Sequence, residues 1–119
     1  NVGGSFLTTK ILYPLIKNSD DKKVISISSI MGSIQLSNGG SIPYRISKAG
    51  LNMLMKNMAV EYKKDGVTVV SIHPGWVKTD MGGESATEES ARKIKQIIDD
   101  ISIKNSGEYI SVNGDLIPF

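Results

Sequence analysis

At 119 residues the chain is long enough for one small domain and too short for two. Its 39% apolar content permits a core, and 22% charged residues with a net charge of +2, both signs mixed along the chain, point to neither nucleic acid nor an anionic membrane surface. The absence of cysteine excludes a disulfide scaffold, a thiolate zinc site and a cysteine nucleophile, and agrees with a reducing, cytoplasmic setting; no apolar run reaches the ~18 residues of a bilayer span.

In chain order, the spacing of Phe6, Leu7, Ile11, Leu12, Leu15 and Ile16 predicts a helix with a broad buried face, which Pro14 kinks or brings to its last turn. Asn18 to Asp21 reads as a loop. Lys22 to Ser29, with β-branched Val24, Ile25 and Ile27, reads as a short buried strand. Residues 30–42, rich in Gly, Ser and Asn, form a loop. Pro43 opens a helix that runs to about Lys64 on the apolar face of Leu51, Leu54, Met55 and Met58, and Asp65-Gly66 stops it. Met55 and Met58 are read as helix packing or as part of a subunit interface, not as a cofactor box. Val67 to His73 is a second strand, ended by Pro74-Gly75, and residues 76–86 are a long polar loop. Thr87 is the predicted N-cap of a third helix with Glu88 and Glu89 in its first turn; Ser85 with Glu88 is an alternative capping pair. That helix continues through Ala91, Ile94, Ile97, Ile98 and Ile101. Gly107 to Val112 is a last short strand, Asn113-Gly114 a turn, and Leu116 to Phe119 an apolar tail that must dock.

Strands separated by helices imply parallel pairing through right-handed crossovers. The fold class is therefore α/β: the C-terminal part of a doubly wound parallel, Rossmann-like sheet, with about three strands, flanking helices and two open edges.

Three places carry chemistry. In Tyr44-Arg45-Ile46-Ser47-Lys48 the phenol and the ammonium lie one helical turn apart on one face. A free phenol has a pKa of ~10, and a nearby ammonium favours its ionised form, which suits proton donation and acceptance. On its own the same spacing also describes a solvated helix face. Ser28 and Ser29 stand at the carboxyl end of a predicted parallel strand, where doubly wound sheets hold ligands and a hydroxyl can hold a carbonyl oxygen; on their own they also describe a strand-end turn. Pro74 and Gly75 let the backbone turn sharply at the end of the next strand and approach a flat ligand, or simply make a turn. His73, the only histidine, is read as packed and hydrogen-bonded rather than as a base or metal ligand. Trp76 lines a substrate pocket or packs the loop.

Together these motifs make the sequence resemble the short-chain dehydrogenases/reductases. The family's Tyr-x-x-x-Lys is matched by Tyr44 and Lys48. Its catalytic serine, three residues before a glycine, is matched by Ser29 with Gly32. Its Pro-Gly-x-Val-x-Thr segment is matched by Pro74, Gly75, Val77 and Thr79, and its Asn-Val-x-Gly context by Asn1 to Gly4. The Gly-Trp-Val-Lys-Thr-Asp-Met-Gly-Gly run and the Leu-Ile-Pro-Phe ending look most like the carbonyl-reductase-like branch that contains the C-factor proteins. The resemblance implies hydride transfer between NADP or NAD and a small carbonyl or alcohol. In that scheme Tyr44 protonates the oxygen, Ser29 holds it, Lys48 binds the nicotinamide ribose and eases ionisation of Tyr44, and Asn1 anchors a water leading to Lys48. Tyr44 and Lys48, with Pro74, Gly75, Val77 and Thr79, bind the nicotinamide cofactor. The resemblance also implies a homodimer through the helices near Asn1 and Tyr44, while the residues offer no carboxylate–histidine cluster that would suggest a metal.

Two parts of the family pattern are missing: the Gly-rich loop Thr-Gly-x-x-x-Gly-x-Gly, on which the pyrophosphate rests, and the Asn-Asn-Ala-Gly segment. Residues 1–119 are accordingly expected to be the C-terminal catalytic portion of a single Rossmann-like domain whose dinucleotide-binding half is absent. The competing expectation is a truncated homologue without turnover that serves as a dimerisation or signalling module.

Overall fold

The computed structural model describes residues 1–76 and 83–119, with the backbone alone for 83–86. Three strands, β1 (Lys23–Ile27), β2 (Thr68–His73) and β3 (Tyr109–Ser111), form one parallel sheet in the order β1-β2-β3. The register pairs Ile25 with Val70 and Ile72 with Ile110. Helix α1 (Val2–Lys17) precedes β1, α2 (Ile42–Tyr62) links β1 to β2, and α3 (Gly83–Asp100) links β2 to β3. The Rossmann-like topology read from the sequence is the one observed.

Side-chain alternation along β2 builds two cores, one on each face of the sheet. Val67 and Val69 pack with Leu51, Met55, Met58, Ala59 and Tyr62, most of them on one face of α2, and Tyr13 and Ile16 of α1 join them. On the other face Val70, Ile72 and Ile110 meet Ile101 and the Ile94, Ile97 and Ile98 stripe of α3. Lys23 ties α3 to the sheet by donating to the carbonyl of Ile98, 2.6 Å away, near the negative end of the helix dipole. α2 ends as the sequence predicts: a 3₁₀ turn (Lys63–Asp65) runs into Gly66, whose φ of +72° a residue with a Cβ resists.

Several expectations are corrected. β1 is not a buried strand: its residues are half-buried and Ile27 is exposed, because β1 lies at the sheet edge with β2 on one side only. No residue of α1 is fully buried, and Leu7, Ile11 and Leu15 stand in the open, since within these residues the helix touches little beyond α2 and β1. It is fastened by Tyr13, which stacks on Tyr62 at 4.0 Å and donates a hydrogen bond to Asp65. α3 begins at Gly83, so neither Thr87 nor Ser85 is its N-cap; Glu, Ser and Ala ahead of Thr87 tolerate helix, and nothing in that run stops one. Ile30–Gly32 is a 3₁₀ turn rather than loop. Met55 and Met58 pack the helix as expected, in the buried core rather than at a subunit interface.

Nor are both sheet edges open. The apolar tail turns back beside β3: Ile117 N–H donates to Tyr109 O at 2.7 Å and Ser111 N–H to Asp115 O at 2.8 Å, on the side of β3 away from β2. Phe119 then rests against Tyr109, ring centroids 5.7 Å apart. Only the β1 edge has no strand beside it among the described residues.

Candidate active site

The carboxyl ends of β1 and β2 point the same way, as parallel pairing requires, and α2 starts beside them. A cavity of about 360 Å³ opens there, lined by Ser28, Ser29, Ile30, Met31, Tyr44, His73, Pro74, Gly75 and Trp76. Three segments far apart in sequence thus deliver Ser29, Tyr44, Pro74, Gly75 and Trp76 to one place. Its volume lies in the range of small-ligand sites.

Each of these residues has a local reason for its position. Ser29 is extended (φ −151°, ψ 145°), two residues past β1; its Oγ accepts from Met31 N–H at 3.3 Å, which caps the 3₁₀ turn and leaves the hydroxyl hydrogen free to donate. Gly32 lets that turn lie directly on α2: a Cβ there would sit 2.9 Å from the carbonyl carbon of Lys48 and 2.8 Å from Asn52 Nδ2. The spacing of Ser29 to Gly32 is therefore a packing requirement between the serine and the helix that carries Tyr44. Before α2, Gly39, Gly40 and Ser41 all have positive φ, and Pro43 sits in its first turn, as the sequence predicts. Gly75 turns the chain out of β2 with φ +78°, and a Cβ there would lie 3.1 Å from Val112. Trp76 stands exposed at the cavity rim, and the loop it would otherwise pack continues into residues outside the described ones.

Lys48 lies one turn along α2 from Tyr44, its ammonium 5.8 Å from the phenol ring centroid. It donates to Ile27 O at 3.1 Å, at the end of β1, and keeps two N–H groups for other acceptors. Lys48 and Asn1 do not line the cavity of Ser29 and Tyr44. Both line an adjoining groove of about 580 Å³ between α1, β1 and α2, with Ser5, Thr8 and Thr9. Val77 and Thr79 lie outside the described residues.

His73 is packed and hydrogen-bonded, as expected: its Nδ1 accepts from Ile30 N–H at 3.2 Å, and burial holds its pKa below the ordinary imidazole value. Tyr109 escaped the sequence reading. It is buried on β3 and donates to the carbonyl of Ser29. The clue was available: a tyrosine on a short central-looking strand needs a partner for its hydroxyl. What no local pattern showed is that β3 brings that hydroxyl under the end of β1.

Residues 1–90 match the pattern of the short chain dehydrogenase family. The chain belongs to that family. Among its members the chain is similar to the C-signal of Myxococcus xanthus, 34% identical over all of this chain and 74% of that protein. An uncharacterized oxidoreductase of Schizosaccharomyces pombe is 30% identical over all of this chain and 55% of its own length. Of solved structures, the NADPH-bound carbonyl reductase from chicken fatty liver superposes with a TM-score of 0.87 at 32% identity, over all of this chain and 54% of that one. The carbonyl reductase Sniffer of D. melanogaster gives 0.86 at 34%, over 97% and 52%. The chain thus spans about half the length of the family's oxidoreductases in this comparison and about three quarters of the C-signal.

Proposed function

We propose that this chain carries the catalytic part of an NADP(H)-dependent reductase that acts on a small carbonyl compound. The observation that carries the reading is the convergence of Ser29, Tyr44, Pro74 and Gly75 on one cavity at the carboxyl ends of β1 and β2, with the Lys48 ammonium beside the Tyr44 ring. The residues fit a nicotinamide: Pro74-Gly75 offers a sharply turned backbone, and the cavity has room for a flat ring and a small substrate. Two similar reductases and the NADPH carried by one of them support the choice of cofactor.

In this reading a bound nicotinamide supplies the hydride. Tyr44 gives its phenolic proton to the carbonyl oxygen as negative charge grows there. The Ser29 hydroxyl donates a hydrogen bond to the same oxygen, a bond that strengthens in the transition state. The free N–H groups of Lys48 take ribose hydroxyls, and Asn1, across the adjoining groove, shares with Lys48 a polar route for proton resupply. Val77 and Thr79 complete the nicotinamide contacts with Pro74 and Gly75. The pyrophosphate would rest on a Gly-rich loop that residues 1–119 do not include, so these residues are the C-terminal catalytic portion of one Rossmann-like domain. A cytoplasmic setting belongs to the same proposal, and the cysteine-free sequence supports it.

Titration of the native protein with NADPH, with its intact mass measured in parallel, tests this. Binding that quenches Trp76 fluorescence is the expected result, because Trp76 stands at the cavity rim. A native protein that shows no nicotinamide binding overturns the reading. The second reading, a signalling or dimerisation module without turnover, would then take its place; it draws support from the larger share of the C-signal that this chain spans.

A homodimer is part of the proposal. Leu7, Ile11 and Leu15 on α1 and Ile42, Ile46, Met53 and Val60 on α2 are exposed apolar side chains on the two helices named for it. Sedimentation should show a dimer that Met53→Glu converts to monomer with the fold retained; a wild-type monomer at micromolar concentration rejects this surface.

A further inference from the structure

The polar groups of one peptide bond are both held by side chains from other strands. The Ser29–Ile30 peptide joins the extended residue that follows β1 to the 3₁₀ turn. Its carbonyl accepts from the Tyr109 hydroxyl, carried on β3, and from Gly32 N–H at 2.7 Å. Its N–H donates to Nδ1 of His73, the last residue of β2, at 3.2 Å. The β1–β2 ladder stops one step earlier, where Ser28 N–H donates to Ile72 O at 2.7 Å. At the next step outward an imidazole nitrogen replaces a backbone carbonyl as the acceptor. We propose that His73 and Tyr109 are positioning residues for Ser29, gripping the Ser29–Ile30 peptide from both ends and so holding the serine hydroxyl at the cavity.

The orientation of that peptide plane sets ψ of Ser29 and the start of the turn that its Oγ caps, so fixing the plane fixes the side chain's surroundings. Both partners are kept in the form the grip needs. Burial pushes the Tyr109 phenol up, so it stays a donor, and burial pushes His73 down, so it stays neutral with an acceptor nitrogen. Tyr44 from α2 lines the same cavity as His73, Tyr109 from β3 holds the other end of the same peptide, and among the described residues no carboxylate or ammonium lines that cavity. As pH falls through the lowered His73 pKa the ring gains a proton, both ring nitrogens become donors, and Ile30 N–H loses its acceptor. The grip is complete above the ordinary imidazole value of about 6.5 and is lost on the acid side.

The catalytic consequence rests on the reductase reading, and the test separates the two. In the native protein, the Ile30 amide is followed by NMR for its pH titration and hydrogen exchange, and turnover is followed with NADPH and p-nitrobenzaldehyde. Wild type should show the Ile30 shift moving on the acid side together with a fall in kcat. His73→Ala should speed Ile30 exchange at least ~10-fold and lower kcat ~10–100-fold with KM for NADPH nearly unchanged, the size of effect that small misplacement of a catalytic group produces. His73→Asn puts an amide oxygen where Nδ1 was; it should restore most of kcat and remove the acid limb belonging to this ring. Tyr109→Phe should lower kcat and leave the His73 limb in place. Unchanged Ile30 exchange in His73→Ala overturns the grip. A lost grip with unchanged kcat overturns the positioning role while the reductase reading stands. Absence of both NADPH binding and turnover in wild type overturns the reductase reading, and the catalytic role of the grip with it, whatever Ile30 does.

Discussion

Replacing Tyr44 by Phe in the native protein lowers kcat for carbonyl reduction by about 10²–10⁴-fold, the contribution expected of a positioned general acid. The substitution removes one oxygen. Tyr44 is 44% exposed and, among the described residues, its hydroxyl holds nothing in the fold together, so stability should not change. NADPH affinity should stay within a few-fold, because Lys48 and the Pro74-Gly75 turn keep their cofactor contacts when one phenolic oxygen is removed. Steady-state kinetics beside a nicotinamide titration and a thermal melt read all three quantities. A variant with wild-type kcat means another group protonates the oxygen, and the role assigned here is wrong. Loss of NADPH binding would mean instead that Tyr44 carries most of the cofactor contact, which sends the assignment of Lys48 back for revision.

The second large effect is on folding. Ile72→Ala should destabilise the protein by about 2–5 kcal/mol, the range for deleting a buried isoleucine side chain beyond its β carbon. Ile72 is fully buried in the middle strand and packs with Val70, Ile101 and Ile110 between the sheet and α3. The site gives little room for relaxation, since it is enclosed by strands on both sides and a helix above. Urea unfolding checks it: the midpoint should fall with the slope unchanged. A loss below about 1 kcal/mol would mean that α3 closes onto the cavity, in which case α3 is held far more loosely than its packing indicates.

The sequence was most legible where a local pattern carried the outcome. The apolar face of α2 follows from Leu51, Met55 and Met58 at helical spacing, and β2 from a β-branched run between Gly66 and Pro74. The place of Ser29, Tyr44, Pro74 and Gly75 followed from the rule that ligands meet the carboxyl ends of parallel strands, and the cavity brings all four together. What escaped depends on neighbours that no window along the chain contains. β1 carries the same residues a buried strand would, and only its place at the edge leaves Ile27 exposed. Leu7, Ile11 and Leu15 have the spacing of a core stripe, but helical spacing says which side chains share a face and not whether anything covers it. The start of α3 at Gly83 was missed because Thr87 with two glutamates has the chemistry of a cap, and cap chemistry also suits the exposed first turns of a longer helix. Tyr109 was missed because its partner, the Ser29 carbonyl, is main chain.

The strand order β1-β2-β3 is also the order of synthesis. A chain leaving the ribosome can add β2 to β1 as soon as α2 has emerged, and β3 to β2 after α3, with no strand needing to be threaded between two already joined. Each pairing closes over a single crossover, so the loop that must be ordered at every step is short for a parallel sheet. Growth over these residues runs one way, from β1 through β2 to β3, and its last step here folds Phe119 back on Tyr109. Within these residues, ribosome-stalled chains of increasing length should therefore gain protease resistance in two steps, the first with β2 and the second with the tail.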